Sequence, residues 1–409
     1  MIGNRDSLIA MIGDLAGNKA IRRRILQTLF PLLLTLPWRA NFKQMARWSK
    51  RNEGTIHNWF YSDLELVDFQ CLLIDKHGSG SYCTLFDPSY LPKSGKCTPG
   101  LGRYWSGQAG AVKRGLELGA FAVGDIGHHT SFHLSASLTP SQAELKAEGK
   151  TLMGHYVSLV ARRKAEIIHF GSYLAVDGYF GVSTFVGPVT QMGIEVISCF
   201  KSNSVLHYVP LAQSNKKGRG RPRIKGAKVN WSNVDEVALP LVAQDRDKRV
   251  RSGSVWVKCL RRVVMLVAVE YLRPDGSVQG HKLYFCTHTG KNWEWILERY
   301  SLRFQIEFLF RDAKQFTGLT HCQSTNKTKI ENHLNLALGA VSVAKAAHWL
   351  PQEQDQRGPF SMAELKTYYH NLALLERFSV ALNLNPTEIK NNPKIKELLF
   401  STSYEAIAA

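Results

Sequence analysis

The sequence predicts an α/β protein with helical regions at both ends. Short β-prone segments and a helical stretch alternate between about residues 80 and 177. Apolar residues recur at helical spacing before residue 75 and after residue 292, and a second group of β-prone runs lies between 250 and 287. A chain of 409 residues with 44% hydrophobic residues can form two or three packed domains.

The charge balance indicates a polyanionic partner. The chain has 52 Lys and Arg against 33 Asp and Glu, a formal net charge of +19. A globular protein this basic more often binds nucleic acid than carries the charge only for solubility.

The cysteine pattern and the N-terminus predict a protein that stays in the cytoplasm. None of the seven cysteines forms a C-x-x-C pair, which argues against a zinc site and favours reduced thiols. The N-terminus has no basic segment leading into an apolar run, so a signal peptide is not expected. The apolar stretch from Leu29 to Trp38 is shorter than the roughly 20 residues of a membrane span.

Residues 1–75 are expected to form a helical DNA-binding region. Within it, residues 41–60 read as a helix, a turn containing Gly54 and a second short helix, the pattern of a helix-turn-helix. The second helix would present Thr55, His57 and Asn58 to a DNA groove. An ordinary helical hairpin is the alternative.

The middle of the chain changes to a strand pattern. Three β-prone segments (82–86, 116–123 and 131–137), a helix over 151–170 and a strand over 173–176 are expected. Residues 211–287 are expected to combine an exposed basic loop with a small antiparallel β-rich subdomain. The loop contains Arg219, Arg221 and Arg223 in an Arg-Gly-Arg-Pro setting, typical of an arm that enters a narrow minor groove or of a flexible basic linker.

Two carboxylates follow β-prone segments directly. Asp87 follows Phe86 and Asp177 follows Val176, so both side chains should lie at strand ends, held rigidly and open to solvent. Carboxylate oxygens suit Mg²⁺ or Mn²⁺, and two such ions can support phosphoryl transfer. For either aspartate taken alone, a turn cap is the favoured interpretation. The other candidate acids are Asp75, Asp125 and Asp312.

A third carboxylate lies on a predicted helix over residues 300–314. At helical spacing Glu307 shares one face with Tyr300, Arg303, Arg311 and Lys314. The opposite face is apolar and consists of Leu302, Ile306, Leu309, Ala313 and Phe316. The polar face presents a carboxylate among cations, as a phosphate-handling site would, or is a solvated face of spaced ion pairs.

Four of these residues, Tyr300, Arg303, Glu307 and Lys314, match in type and spacing the YREK signature of DDE transposases of bacterial insertion sequences. The segment Asp87-Pro-Ser-Tyr-Leu-Pro-Lys-Ser-Gly-Lys96 resembles the region around the first aspartate of that family, and Leu174-Ala-Val-Asp177-Gly178 resembles the region around the second. The resemblance covers roughly residues 80–345. Phe304 stands where many relatives have Trp.

The resemblance implies a ribonuclease-H-like core over residues 80–210 and 288–350, with the β-rich segment as an insertion and a helical C-terminal region over 351–409. It implies that Asp87, Asp177 and Glu307 bind two Mg²⁺ or Mn²⁺ ions. Tyr300, Arg303 and Lys314 would contact the DNA. The partners would be transposon-end and target duplexes, bound by a homodimer in the bacterial nucleoid, with no membrane and no small-molecule substrate.

Several further assignments remain open at the level of sequence. Arg311, Lys93 and Lys96 are candidate phosphate contacts, and the two lysines could equally be solvated turn residues. Trp256, Trp293 and Trp295 are more readily core residues than platforms for an unpaired base. A DNA-binding regulator without chemistry and a nuclease that cuts without joining are the alternative functions.

Overall fold

A bundle of short helices precedes the first strand. The protein is described by a computed structural model that covers residues 5–64, 66–210, 224–353, 356–357 and 360–400. The first five helices are α1 Arg5–Leu15, α2 Ala20–Thr35, α3 Phe42–Arg47, α4 Glu53–Trp59 and α5 Leu66–His77. Asn41 and Asn52 cap α3 and α4, each accepting a hydrogen bond from a backbone N–H of the first helical turn.

The strands of the described residues form one mixed sheet. They are β1 Tyr82–Pro92, β2 Gly102–Ser106, β3 Ala111–Asp125, β4 Thr130–Leu138, β5 Tyr173–Val176, β6 Glu195–Phe200, β7 Leu206–Tyr208, β8 Leu241–Gln244, β9 Lys248–Val257, β10 Arg262–Leu272 and β11 Val278–Cys286. The main path runs β2-β3-β1-β5-β6-β11-β10-β9-β7, with β4 paired to β3 and β8 to β9. The neighbours β1, β5 and β6 are parallel, and the remaining pairs are antiparallel.

Further helices cover the sheet and complete the C-terminal region. They are α6 Gln142–Ala147, α7 Leu152–Arg162, α8 Lys164–His169, α9 Ser183–Gln191, α10 Trp293–Ser301, α11 Phe304–Asp312, α12 Lys327–Trp349, α13 Met362–Ala381, α14 Pro386–Asn391 and α15 Pro393–Phe400. No helix among the described residues is both long enough and apolar enough to cross a membrane.

Both faces of the central strands are buried. Successive residues of β1 enter different apolar clusters: Phe86 packs with the cluster that includes Phe185 of α9, and Leu85 with the cluster that includes Ile306 of α11. Side chains of a strand alternate between the two faces of its sheet, so apolar residues at every position of a central strand require cover on both sides. The sheet therefore holds the ends of β1 and β5 rigidly between two helical layers.

The α/β class predicted from the sequence is confirmed, and the mixed sheet with its helices is consistent with a ribonuclease-H-like core. The β-rich segment expected within residues 211–287 is present as the antiparallel strands β8 to β11, which join the main sheet. Strand β11 pairs with β6 from Leu283↔Phe200 to Cys286↔Ile197, so β9 to β11 extend the main sheet. The helix expected over 151–170 is divided into α7 and α8 at Arg163.

Candidate active site

The three predicted carboxylates line one cleft of about 1400 Å³. Strands β1 and β5 run parallel and pair as far as Phe86↔Val176. Asp87 directly follows Phe86, and Asp177 directly follows Val176. Parallel strands end at the same edge of a sheet, so the two carboxylates meet there. Glu307 reaches the same cleft from the first turn of α11.

Asp87 is buried beside two other carboxylates. Strand β1 continues past it to Pro92, against the expectation that the strand would end there, because β3 still pairs with this part of β1. Burial raises the pKa of Asp87 to about 7, the Arg303 guanidinium opposes the rise, and the carboxylates of Asp177 and Glu307 add to it. A cation bound here would relieve this repulsion.

Asp177 is fixed by its neighbours along the chain and across the sheet. Its side chain caps the 3₁₀ turn Gly178–Phe180, with Oδ1 accepting a hydrogen bond from the Tyr179 backbone N–H. Its carbonyl oxygen accepts a 2.8 Å hydrogen bond from Ser198 Oγ on β6. The turn-cap role considered from sequence is therefore present, and it coexists with a position in the cleft.

Glu307 is exposed and engaged by a neighbouring cation. Arg303 Nη1 donates a 2.9 Å hydrogen bond to Glu307 Oε1. The Arg303 side chain is nearly buried, and its guanidinium lies 4.5 Å from the centroid of the Phe304 ring. The acid thus enters the cleft already paired with a positive charge.

The expected continuous helix over residues 300–314 is broken. Helix α10 ends at Ser301 and α11 begins at Phe304, with the junction tightened by a hydrogen bond from Arg303 N–H to the Tyr300 carbonyl. A π-helical segment, Ala313–Thr317, follows α11. The predicted apolar face is confirmed at Ile306, which is fully buried.

Tyr300 is buried and does not share the exposed face of Glu307. Its side chain is 5% exposed, and its hydroxyl donates a 3.1 Å hydrogen bond to Cys199 Sγ on β6. Burial raises the pKa of the Tyr300 hydroxyl, and the bond to Cys199 adds to the rise. The structure thus places this phenol beneath the cleft surface, in contrast to the exposed phosphate contact expected from sequence.

The cations expected on the same face as Glu307 line the cleft. Lys314 Nζ donates a 2.9 Å hydrogen bond to Ser89 Oγ, and burial lowers the pKa of Lys314, an effect that the nearby Asp87 carboxylate opposes. Arg311 is exposed and lies 3.0 Å from Asp312 Oδ1. Arg303, Arg311 and Lys314 all line the cleft that holds the carboxylates.

Lys93 and Lys96 lie outside this cleft. Lys93 Nζ donates hydrogen bonds of 2.7 and 2.9 Å to the carbonyl oxygens of Cys322 and Ser324, so it ties the end of β1 to the segment before α12. Lys96 is exposed and lines a second cavity of about 580 Å³. The expected phosphate contact is geometrically open for Lys96, whereas Lys93 is occupied by backbone carbonyls.

Of the three helix-turn-helix residues expected to contact DNA, two are at least partly exposed and one contacts the rest of the protein. Helices α3 and α4 are short and are separated by a turn, as expected. Asn58 is exposed and Thr55 partly exposed, but His57 points to α12, where its Nε2 contacts Lys329 Nζ. His57 therefore faces the protein, while Asn58 remains on the surface.

The candidate minor-groove residues Arg219, Arg221 and Arg223 lie outside the described residues. The chain on either side of them is described, and its two ends are joined. Tyr208 N–H donates a 3.0 Å hydrogen bond to the Ala227 carbonyl, and Gly226 N–H donates a 2.8 Å bond to the Tyr208 carbonyl. Hydrogen bonds therefore join the described residues that precede the basic segment to those that follow it.

The alternative acids have structural partners. Asp125 is fully buried and accepts hydrogen bonds from Ser79 Oγ and N–H and from the backbone N–H of His128, whose ring also contacts it. Asp75 pairs with His169 on the surface. Asp312 pairs with Arg311. None of the three lines the cleft, which supports Asp87 as the first acid.

The tryptophans singled out in the sequence are packed against other groups. Trp256 is 9% exposed, with Lys225 Nζ 5.2 Å from its ring centroid. Trp295 is covered by Arg299, whose guanidinium lies 3.9 Å from the ring centroid. Sequence reasoning passed over Trp105, which is 62% exposed and lines the cleft. Its position two residues after Arg103 and before a turn with Gly107 and Gly110 was the available signal.

The donor chemistry of the site suits a divalent metal, but its side chains are not gathered as a metal cluster. Three carboxylates offer the hard oxygen ligands that Mg²⁺ and Mn²⁺ take. Over the described ranges, no group of three or more His, Cys, Asp and Glu side chains is close enough together to hold an ion. Glu307 Oε1 is paired with Arg303 Nη1 at 2.9 Å.

Residues 155–343 match the family model of the transposase DDE domain. The match supports a DDE transposase, an enzyme family that acts on DNA. It includes Asp177 and Glu307 but begins after Asp87, and it spans just under half of the chain. A comparison with curated proteins finds no match.

Proposed function

We propose that this protein is a DDE transposase of the bacterial insertion-sequence type, which binds transposon ends, hydrolyses the DNA there and joins the freed 3′-OH to target DNA. The observation that supports this proposal is the shared cleft, where Asp87, Asp177 and Glu307 lie with Arg303 and Lys314. Carboxylates for metal beside cations for phosphate are the combination that phosphoryl transfer requires.

Asp87, Asp177 and Glu307 would hold the divalent ions, two Mg²⁺ or Mn²⁺. When bound, such ions activate the attacking oxygen and stabilise the leaving oxygen. Asp87 would bind as the carboxylate, and Glu307 would exchange its hydrogen bond from Arg303 for a metal contact. The released guanidinium would then be free to bind a phosphate of the DNA.

The cations of the cleft would position the strand without reading its sequence. Arg303, Arg311 and Lys314 would bind phosphates beside the cut, and the buried Tyr300 would support Arg303 from below. Lys96, Asn58, Thr55 and the basic segment with Arg219, Arg221 and Arg223 would extend the contact with duplex DNA. We propose that the protein pairs two transposon ends as a homodimer in the bacterial cytoplasm.

A second candidate is a DNA-binding regulator without chemistry. The observation that favours it is the engagement of Glu307 by Arg303 together with the absence, in the described part of the chain, of a compact group of metal ligands. A nuclease that cuts without joining uses the same cleft and differs from a transposase in its product.

One experiment separates the three. The full chain is incubated with the DNA that flanks its coding sequence, with Mg²⁺ or with EDTA, and products are resolved on denaturing and native gels. A transposase gives end cleavage and joined product with Mg²⁺ and neither with EDTA. Cleavage without joining identifies a nuclease, and binding without cleavage identifies a regulator.

A further inference from the structure

The hairpin formed by β2 and the start of β3 carries an exposed apolar pair. Trp105 is 62% exposed and Val112 is 54% exposed, and the two are cross-strand partners. Strand β2 is an edge strand, so among the described strands only β3 pairs with it. Two neighbouring exposed apolar side chains form a small patch that another molecule can cover.

A basic pair lies beside the apolar pair on the same face. Residues two apart along a strand point to the same side of a sheet, which places Arg103 with Trp105 and Arg114 with Val112. Arg103 and Arg114 are themselves cross-strand partners, and both are exposed. We call these four residues the hairpin face.

Hydrogen bonds from both sides of the hairpin anchor it to the protein. Tyr104 is 8% exposed, and its hydroxyl donates a 2.9 Å hydrogen bond to the Gly100 carbonyl. Tyr90 Oη donates a 2.8 Å hydrogen bond to the Arg114 carbonyl, and Arg114 Nη2 donates one of 2.8 Å to the Gly95 carbonyl. The hairpin face is therefore held in place while its surface stays open.

The hairpin also borders the candidate active site. Arg103, Trp105 and Lys113 line the cleft that contains the carboxylates. Arg103 and Arg114 also line the second cavity, next to Lys96. A polyanion seated in the cleft would pass beside this face.

We propose that the hairpin face binds DNA, with Trp105 stacked on an unpaired or terminal base and Arg103 paired with a backbone phosphate. This inference rests on the proposed function, which brings DNA into the cleft. An indole can stack only on a base whose face is open, so the ligand is DNA with a frayed end or single-stranded nucleotides, and a closed duplex is a poorer ligand. Arginine beside an aromatic ring suits a nucleic acid because each nucleotide offers a flat base and a charged phosphate.

The test measures binding to two labelled duplexes that differ in a short single-stranded tail. Fluorescence anisotropy of the full chain in EDTA excludes cleavage from the readout. We expect wild type to prefer the tailed duplex, and Trp105→Ala to weaken that binding by roughly 5- to 100-fold while the closed duplex is affected less. Trp105→Phe should restore most of the preference because a ring remains.

Trp38→Ala is the matched control, since Trp38 is 72% exposed and does not line the cleft. It should leave the ratio of tailed to closed affinity unchanged. An unchanged ratio in Trp105→Ala, with an unchanged thermal melt, would overturn the proposal. A shift of Trp105→Ala from dimer to monomer in sedimentation, without loss of tailed-DNA affinity, would instead assign the face to a second copy of the chain.

Failure of this inference is distinguishable from failure of the proposed function. A wild-type protein that prefers tailed DNA but never cleaves it supports the hairpin face and argues against the transposase. A protein that cleaves and joins DNA with the Trp105→Ala ratio unchanged supports the transposase and argues against the hairpin face.

Discussion

Arg303 Nη1 lies 2.9 Å from Glu307 Oε1, one helical turn apart at the start of α11. The guanidinium is nearly buried, and the carboxylate is about half exposed. A fixed cation therefore holds the acid that the proposed chemistry needs, and a metal ion must compete with it. Substitutions of Glu307 and Arg303 should therefore affect metal binding and DNA binding differently.

Glu307→Gln should abolish DNA cleavage and leave DNA binding nearly intact. The amide keeps the shape of the side chain but loses the anionic oxygen that a metal requires. Changes in groups that only orient metal ligands cost 10–100-fold, so loss of a direct ligand should lower the cleavage rate by roughly 100-fold or more. The measurement is single-turnover cleavage beside anisotropy. Glu294→Gln, an exposed acid on α10, is the control.

Arg303→Ala and Ile306→Asp should separate function from folding on neighbouring turns. Ile306 is fully buried, and an unpaired charge at such a site destabilises a protein by about 3–5 kcal/mol. Arg303→Ala should lower DNA affinity or cleavage on every end sequence alike, with a smaller loss of thermal stability than Ile306→Asp. Lys314→Ala should behave like Arg303→Ala. Equal melting temperatures for the Arg303 and Ile306 variants would make Arg303 a structural residue.

The sequence predicts local patterns of this site better than its long-range contacts. The ends of two β-prone segments identify Asp87 and Asp177, and helical spacing identifies the buried face of α11, because both depend on neighbours along the chain. The inward turn of Tyr300 depends on Cys199, 101 residues earlier. The engagement of His57 and Lys93 depends on partners 272 and 229 or more residues away. No local pattern contains these partners.

His133 should make the protein sensitive to acid. It is fully buried between β4 and α12, its Nε2 lies 3.0 Å from Asn335 Oδ1, and burial lowers its pKa from 6.5 to about 4. Because the folded pKa lies below the unfolded one, stability is present above about pH 6.5 and is lost as the pH falls toward 4. The pKa difference corresponds to about 3 kcal/mol.

The measurement is urea unfolding at several pH values between 4 and 7. His133→Gln should flatten the dependence on pH, even if its stability at pH 7 is lower. His129→Asn is the control, because His129 is exposed and its backbone, with φ 48°, tolerates asparagine. An acid slope as steep in His133→Gln as in wild type would assign the sensitivity to other groups.

Neutralising the basic segment should weaken DNA binding without affecting the fold. The bonds between Tyr208 and its partners close the base of this segment, so its side chains are not needed to bring the ends together. The triple change Arg219→Gln, Arg221→Gln and Arg223→Gln should lower the slope of log K against log salt by up to about 2.7. The melting temperature should stay the same.

Comparing A·T-rich and G·C-rich duplexes shows how the segment binds. A larger loss on A·T-rich DNA supports insertion into the minor groove, and an equal loss supports a non-specific linker. Lys394→Gln with Lys396→Gln, two exposed lysines on α15, is the control for a general loss of charge. A triple variant with an unchanged salt slope would remove the segment from the DNA interface.

The pairing of β11 with β6 also determines how the molecule unfolds. Strands from β1 through β5, β6 and β11 to β10 and β9 share one ladder of backbone hydrogen bonds, with helices over the central part. We expect these strands to open together, so the amide protons of β5 and β10 should exchange with solvent at similar, slow rates, as within one cooperative unit. The proposed metal site at Asp177 and the proposed DNA contacts on other strands would then be lost together, because opening either part costs the free energy of opening the whole sheet.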